Sequence, residues 1–285
     1  PGPPAEMKPM VDRFVLPRIE ADRAVRTRVL HTVGLGESNV AEILGELMRR
    51  DRMPMVGTTA SGGIVTVRIR SEADSAESAE AAMEADTRCV RDLLGPIIIS
   101  PPEDAPTGDH ERGVHALVRE ITGLLSHRGE LLSVCESCTA GLLAGTFADV
   151  PGSSAVLNGG FITYSNTLKE RVAGVESGLL AQYGAVSSPV AAAMAQGSLQ
   201  RTDADHCIAI TGVAGPGGGS DDKPIGTVWI ARATTGEPTD VRRFNFKHDR
   251  QTVRQRSVVA ALAMLRQHLL GLDAALLGES ERVGN

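Results

Sequence analysis

Aromatic side chains are scarce in this chain: one Trp, two Tyr and five Phe in 285 residues, with Phe14 alone in the first 146. That stretch has no platform on which nucleic-acid bases could stack. An excess of basic charge is missing as well. Lys and Arg number 29 against 35 Asp and Glu, for a net charge of −6. Cutting after residue 107 leaves 13 basic and 17 acidic residues on the N-terminal side, so no half conceals a positive domain of the kind that tracks a phosphate backbone. Cysteine is limited to Cys89, Cys135, Cys138 and Cys207, too few and too scattered for a disulfide framework. No apolar run approaches the roughly 18–20 residues of a membrane helix, and PGPPAEMKPM is no signal peptide, so the expectation is a cytoplasmic protein. Because residue 1 is Pro, the chain is expected to be a piece of something longer.

What remains is ordinary globular composition, 42% hydrophobic and 22% charged, arranged in two patterned regions. Residues 1–25 carry little apolar periodicity and form a remnant or connector. Residues 26–100 predict a small α+β unit in the order β-α-β-β-α-β. Its signals are an alternating TRVLHTVG, a helix with Val40, Ile43, Leu44 and Leu47 on one face, and a hairpin about Ser61-Gly62-Gly63. A helix ending at Gly95 and a short buried strand, PIIIS, complete it. The Pro- and Asp-rich residues 101–110 read as a linker. From 111 to 272 strands and helices alternate, which predicts an α/β domain of layered sheet and helix. Residues 273–285 turn polar and predict a frayed tail.

Four stretches of the second domain carry more Ser, Thr, Gly and charge than a core needs. Glu136-Ser137-Cys138-Thr139-Ala140-Gly141 lies where a strand gives way to a helix. Ser137 or Thr139 there is either a helix cap or part of an anion site at the helix start. The Cys135-x-x-Cys138 pair lacks the further ligands of a zinc site, so no metal is expected. Ser153-Ser154, Tyr164 and Lys169 place hydroxyl, phenol and amine about one strand. The Tyr-x-x-x-x-Lys spacing is one residue longer than in short-chain dehydrogenases, and no dinucleotide-binding turn opens the domain. The competing reading is a Ser–Lys pair in which a neutral amine activates a hydroxyl nucleophile. Gly212, Gly215, Gly217, Gly218 and Gly219 follow an apolar strand and leave backbone N–H groups open to an anion, in a loop that does not match a P-loop. Arg250 opens the last long helix, an unfavourable place for a cation unless it meets an anion.

Together these stretches resemble the CinA family of competence/damage-inducible proteins. The motifs are Cys135 to Thr139, Pro151-Gly152-Ser153-Ser154, Tyr164-Ser165-Asn166…Lys169, Tyr183 to Ser187, and Gly212-x-Ala214-Gly215-Pro216-x-Gly218-Gly219 with Lys223-Pro224-x-Gly226-Thr227-Val228. The resemblance covers residues 110–270, and it implies a nicotinamide mononucleotide amidohydrolase that needs no cofactor. It implies Ser154 as nucleophile, Lys169 as base and Tyr164 as proton relay. Ser137, Thr211, Gly212, Gly215, Gly218, Gly219 and Arg250 would line the substrate pocket. Upstream, RVLHTVGLGES and VGTTASGGIVTVRI are similar to the family's KH-like middle domain, and PGPPAEMKPM to the end of its MoaB-like first domain, otherwise absent here. No G-x-x-G loop occurs in residues 26–100, so nucleic-acid binding is not implied. The family leads one to expect a homodimer. Two other readings stand beside the enzyme: a catalytically silent nucleotide- or partner-binding regulatory module, and a thiol-redox protein using Cys135 and Cys138.

Overall fold

Residues 2–18, 23–100 and 113–283 are described by the computed structural model; the expected linker at 101–110 lies outside them. The chain starts with helix α1 (Pro4–Met10), which runs on as irregular helical turns to Arg18. Alternating apolar residues then build a three-stranded antiparallel sheet of order β1-β3-β2, from β1 (Ala24–Val33), β2 (Met55–Ser61) and β3 (Ile64–Ala73). The β2–β3 turn sets Gly62 and Gly63 at φ +61° and +100°, the positive values that a two-residue hairpin turn requires. Helices α2 (Glu37–Leu44) and α3 (Ala76–Leu94) cover one face through Val40, Leu44, Met83 and Val90, packed on Leu30, Val67 and Ile69. Ile43, expected on that apolar face, is exposed.

The expected closing strand at PIIIS is absent: Ile98 makes one isolated bridge to Thr32. Pro96 has no N–H to give a ladder, and the guanidinium of Arg266 takes the carbonyls of Pro96 and Ile98 at 2.8 and 2.7 Å. The observed unit is therefore β-α-β-β-α.

The second unit holds helices α4 (Gly113–Arg128), α5 (Leu142–Ala148), α6 (Asn166–Arg171), α7 (Ser177–Tyr183), α8 (Ser188–Leu199) and α9 (Arg250–Leu270). Its strands are β4 (Leu132–Glu136), β5 (Leu157–Ile162), β6 (His206–Gly212), β7 (Thr227–Thr234), β8 (Asp240–Asn245) and β9 (Glu279–Val283). They form one sheet in the order β5-β4-β6-β7-β8-β9, with β5, β4 and β6 parallel and the rest antiparallel. Helices α4, α5 and α9 pack on one face over Val134, Ile208, Ile230 and Phe244. The Ala-rich α8 packs on the other over Cys135, Cys207, Ala209 and Trp229. Successive residues of a strand point to opposite faces, so Val134 and Glu136 look toward α5 while Cys135 looks toward α8.

Val33, Ile64 and Ile99 of the first unit join the α9 core, and Arg266 of α9, paired with the buried Glu120 of α4 at 2.7 Å, ties the two units through the Pro96 and Ile98 carbonyls. The frayed tail expected after 273 is instead strand β9, paired with β8 through Val241–Val283 and Arg242–Arg282. Its carboxylates explain this: Glu279 meets Arg242 and Glu281 meets Arg243 of β8, so charge that reads as solvated in sequence pairs across the strands. Among the described residues no helix is long and apolar enough to cross a membrane.

Candidate active site

Parallel strands leave their ligands room at their carboxyl ends, and here that edge collects Ser137, Thr163 to Lys169, and Thr211. Ser137 follows the last residue of β4, and its N–H donates to the carbonyl of Ile210 on β6. On the other side of β4, Thr163 extends β5 by donating its N–H to the Glu136 carbonyl. The Ser165 side chain accepts the Leu168 N–H and so starts α6, whose first turn places Lys169 back under the strand end. The lysine Nζ lies 2.9 Å from Ser137 Oγ and 2.7 Å from the Thr163 carbonyl, and the residue is 1% exposed.

Burial pushes the Lys169 pKa below that of an ordinary lysine, opposed by weaker attraction to the Cys135 and Cys138 thiols. A neutral amine in this position donates one N–H to the Thr163 carbonyl and offers its lone pair to the Ser137 hydroxyl. That is the arrangement a Ser–Lys nucleophile needs. The thiols do not compete for this role, because burial raises both and pushes Cys138 up to about 12.

Tyr164 is 56% exposed at the rim, and its hydroxyl accepts a hydrogen bond from Arg250 Nη2 at 3.1 Å. The other arm of Arg250 donates to the Gly215 carbonyl at 2.8 Å, tying the glycine loop to the start of α9. Arg250 tolerates a helix start because these two oxygens satisfy it, and Asp249 caps the helix by accepting the Thr252 N–H. Thr211 points to the α7–α8 connection, donating to the Ala185 carbonyl at 2.7 Å. Gly212 is required by packing, since a Cβ there would stand 2.8 Å from the Thr227 carbonyl oxygen. Gly215 and Gly218 hold φ +85°, and Gly219 packs on Ile225.

Two expectations change in this setting. Ser154 lies in the turn before β5, at the opposite end of the strand from Tyr164 and Lys169. Five steps along that strand at about 3.3 Å each separate the ends by roughly 17 Å. Ser154 is exposed there, and the neighbouring Ser153 is spent on the Val150 carbonyl. The hydroxyl that meets Lys169 is that of Ser137. Nor does the start of α5 stand open to an anion. The buried Glu136 carboxylate occupies it, accepting the N–H groups of Gly141, Leu143 and Ala144 at 3.0, 3.1 and 2.9 Å. Ser137 and Thr139 therefore do not cap this helix. The sequence motif includes Glu136 without giving it a role; the usable signal is a carboxylate at a strand end, five to eight residues before the first orphan N–H groups of a helix.

Known proteins place both units. Residues 27–99 match the Damage-inducible protein CinA KH domain and 114–269 the CinA C-terminal domain. A Symbiobacterium thermophilum relative, named only provisionally for competence-damage induction, is 39% identical over 95% of this chain and 64% of its own length. A CinA-like protein of Akkermansia muciniphila is 37% identical over 93% of this chain and 60% of its own. The chain thus spans less than two thirds of these relatives. Competence/damage inducible protein CihA from Agrobacterium tumefaciens superposes with a TM-score of 0.55 at 37% identity, over 57% of this chain and 99% of that one. The Klebsiella pneumoniae competence damage-inducible protein A gives 0.53 at 38% identity, over 55% and 97%. With its C-terminal match covering more than half of its residues, this chain belongs to the CinA family.

Proposed function

We propose that the chain hydrolyses the carboxamide of nicotinamide mononucleotide, giving nicotinate mononucleotide and ammonia, with Ser137 as nucleophile. The observation that carries this reading is the 2.9 Å contact between Ser137 Oγ and the buried Lys169 Nζ. Neutral Lys169 takes the hydroxyl proton as Ser137 Oγ bonds to the carboxamide carbon. The resulting ammonium returns that proton, by way of Tyr164, to the departing nitrogen, and the C–N bond breaks to release ammonia. Water then attacks the ester, Lys169 accepts its proton, and the C–O bond breaks to restore the Ser137 hydroxyl and free the carboxylate.

The N–H groups of Cys138 and Thr139 follow Ser137 in its turn and suit a developing oxyanion. A pyridinium substrate adds positive charge beside Lys169 and further favours the neutral amine. For the phosphate, the remaining donors are the N–H groups of Arg250 not engaged by Gly215 and Tyr164, together with the glycine loop; the α5 start is excluded by Glu136. A coupled ammonia assay with nicotinamide mononucleotide tests the proposal. Stoichiometric ammonia that disappears in Ser137→Ala supports it. Binding without ammonia would favour the silent nucleotide-binding module instead.

A further inference from the structure

We infer that Glu136 is a positioning residue, holding the Ser137 turn in the shape needed for attack; this rests on the reading of Ser137 as nucleophile. Between the end of β4 and the start of α5 the chain must reverse in five residues, 137–141, and it does so through strained backbone. Ala140 has φ +50°, the single non-glycine residue at positive φ among the described residues, and Gly141 follows at +89°. A left-handed alanine costs on the order of 1–2 kcal/mol and persists only where its surroundings impose it.

Glu136 is what imposes it. Its carboxylate is 1% exposed and grips both ends of the turn, joined by backbone to Ser137 on one side and by three N–H groups to Gly141, Leu143 and Ala144 on the other. Arg254 secures the middle by donating to the Thr139 carbonyl at 2.6 Å. Deleting the carboxylate would free the turn that carries Ser137 and the N–H groups of Cys138 and Thr139.

A buried carboxylate one residue from Ser137 would ordinarily raise the pKa of a nearby lysine and spoil it as a base. Strand geometry prevents this. Glu136 projects to the α5 face of β4, where the Gly141, Leu143 and Ala144 N–H groups hold its carboxylate, and the charges acting on Lys169 are those of the Cys135 and Cys138 thiols. Three N–H groups and the positive end of α5 compensate the charge where it lies. Of the charged and titratable groups around Lys169, the thiols of Cys135 and Cys138 are those that bear on it, and both are weak.

Glu136→Gln tests this in the full chain with nicotinamide mononucleotide. The amide keeps one acceptor but turns an NH2 group toward an N–H donor. Since a displacement of about 1 Å costs on the order of 10²-fold, kcat is expected to fall about ten- to a hundredfold with KM within about twofold. The midpoint of the alkaline-rising limb of the pH profile stays in place, because Lys169 is untouched. Labelling of Ser137 by phenylmethylsulfonyl fluoride, followed by mass spectrometry, slows in parallel. Glu136→Asp, which keeps the charge on a shorter arm, gives an intermediate loss and serves if the glutamine variant does not fold. A folded variant with wild-type kcat and labelling, or a shift only in melting temperature, overturns the inference and leaves Glu136 a simple helix cap. A displaced pH midpoint overturns it too, since Glu136 would then act on the charge of Lys169. Ser137→Ala is run alongside. If it retains turnover, the nucleophile assignment has failed; if it is inactive while Glu136→Gln is normal, only the positioning role has.

Discussion

The choice between two serines decides the chemistry, and the structure sets unequal consequences for removing them. Ser137→Ala deletes the hydroxyl 2.9 Å from Lys169 Nζ and leaves the amine with the Thr163 carbonyl as its remaining partner. Loss of a nucleophile that acts as a unit with its base costs about 10⁴-fold or more in kcat, or roughly 5.5 kcal/mol of transition-state stabilisation. Ser154→Ala changes an exposed hydroxyl at the far end of β5, where a surface substitution is worth within about 0.5 kcal/mol and kcat should stay within about twofold. Ammonia release at saturating nicotinamide mononucleotide measures both, and calorimetry checks that Ser137→Ala still binds substrate. The opposite ranking, an inert Ser154→Ala beside an active Ser137→Ala, would refute the assignment. It would mean that the Ser137–Lys169 contact is a structural hydrogen bond.

Lys169→Met should lower kcat by about 10²–10⁴-fold and abolish the rising limb of the pH profile. In the wild type, kcat/KM should climb as pH rises through the lowered pKa of Lys169, because only the deprotonated amine accepts the serine proton. The same shift affects stability. Between that lowered pKa and the unfolded value near 10.4 the unfolded chain binds more protons, so the wild type should gain stability with rising pH there and Lys169→Met should not, as denaturant titrations across that window would show. Arg250→Ala should raise KM by about ten- to a hundredfold and, through lost support of Tyr164, lower kcat too. Nicotinamide riboside should be a poor substrate, and equal turnover of riboside and mononucleotide would remove the phosphate role of Arg250. Gly160→Ala puts a Cβ 2.1 Å from the Val134 carbonyl oxygen on β4, so β5 must move. We expect a loss of about 1–3 kcal/mol in denaturant unfolding, with kcat reduced because Tyr164 and Lys169 follow directly on that strand.

Periodicity made most of the elements legible: β1, the β2–β3 hairpin, α3 with its Gly95 stop, and the alternating strands and helices after residue 113 all follow local rules. The two elements misjudged from sequence depend on distant partners. PIIIS reads as a strand until Arg266, 170 residues from Pro96, takes its carbonyls, and the polar tail becomes β9 where Glu279 and Glu281 meet Arg242 and Arg243 of β8. The site divided in the same way. Lys169 and Tyr164 could be picked out as chemistry-bearing side chains, but their serine partner depended on strand direction. Ser154 is nearer in sequence, 15 residues from Lys169, and Ser137 is 32 away. Parallel pairing of β4 with β5 puts the carboxyl ends of both strands together and sends Ser154 to the other end. A sequence shows that two strands are linked by a helix; recognising that the linkage makes them parallel would have favoured Ser137.

The scarcity of aromatics in the chain has a counterpart in how Lys169 is kept dry. A lysine is easily desolvated by large side chains, yet the layer over Cys135 is rich in small ones, Ala173, Ala191, Ala195, Ala209, Ala231 and Ala233, set among Val175, Leu180, Val190, Met194, Trp229 and Val241. Small side chains bring backbone close to backbone. At Gly197 of α8 even a Cβ would sit 1.8 Å from the Ala173 carbonyl oxygen, on the segment that follows α6. Lys169 is held from that side as well, its carbonyl accepting the Val175 N–H at 3.0 Å. With α8 pressed this near the α6–α7 segment, Lys169 is 1% exposed, and its amine meets one carbonyl and one hydroxyl. Neither partner carries the negative charge that would stabilise an ammonium. Desolvation without a counter-charge is the condition under which a lysine gives up its proton, and here burial supplies it while the Glu136 carboxylate is held by the N–H groups of Gly141, Leu143 and Ala144.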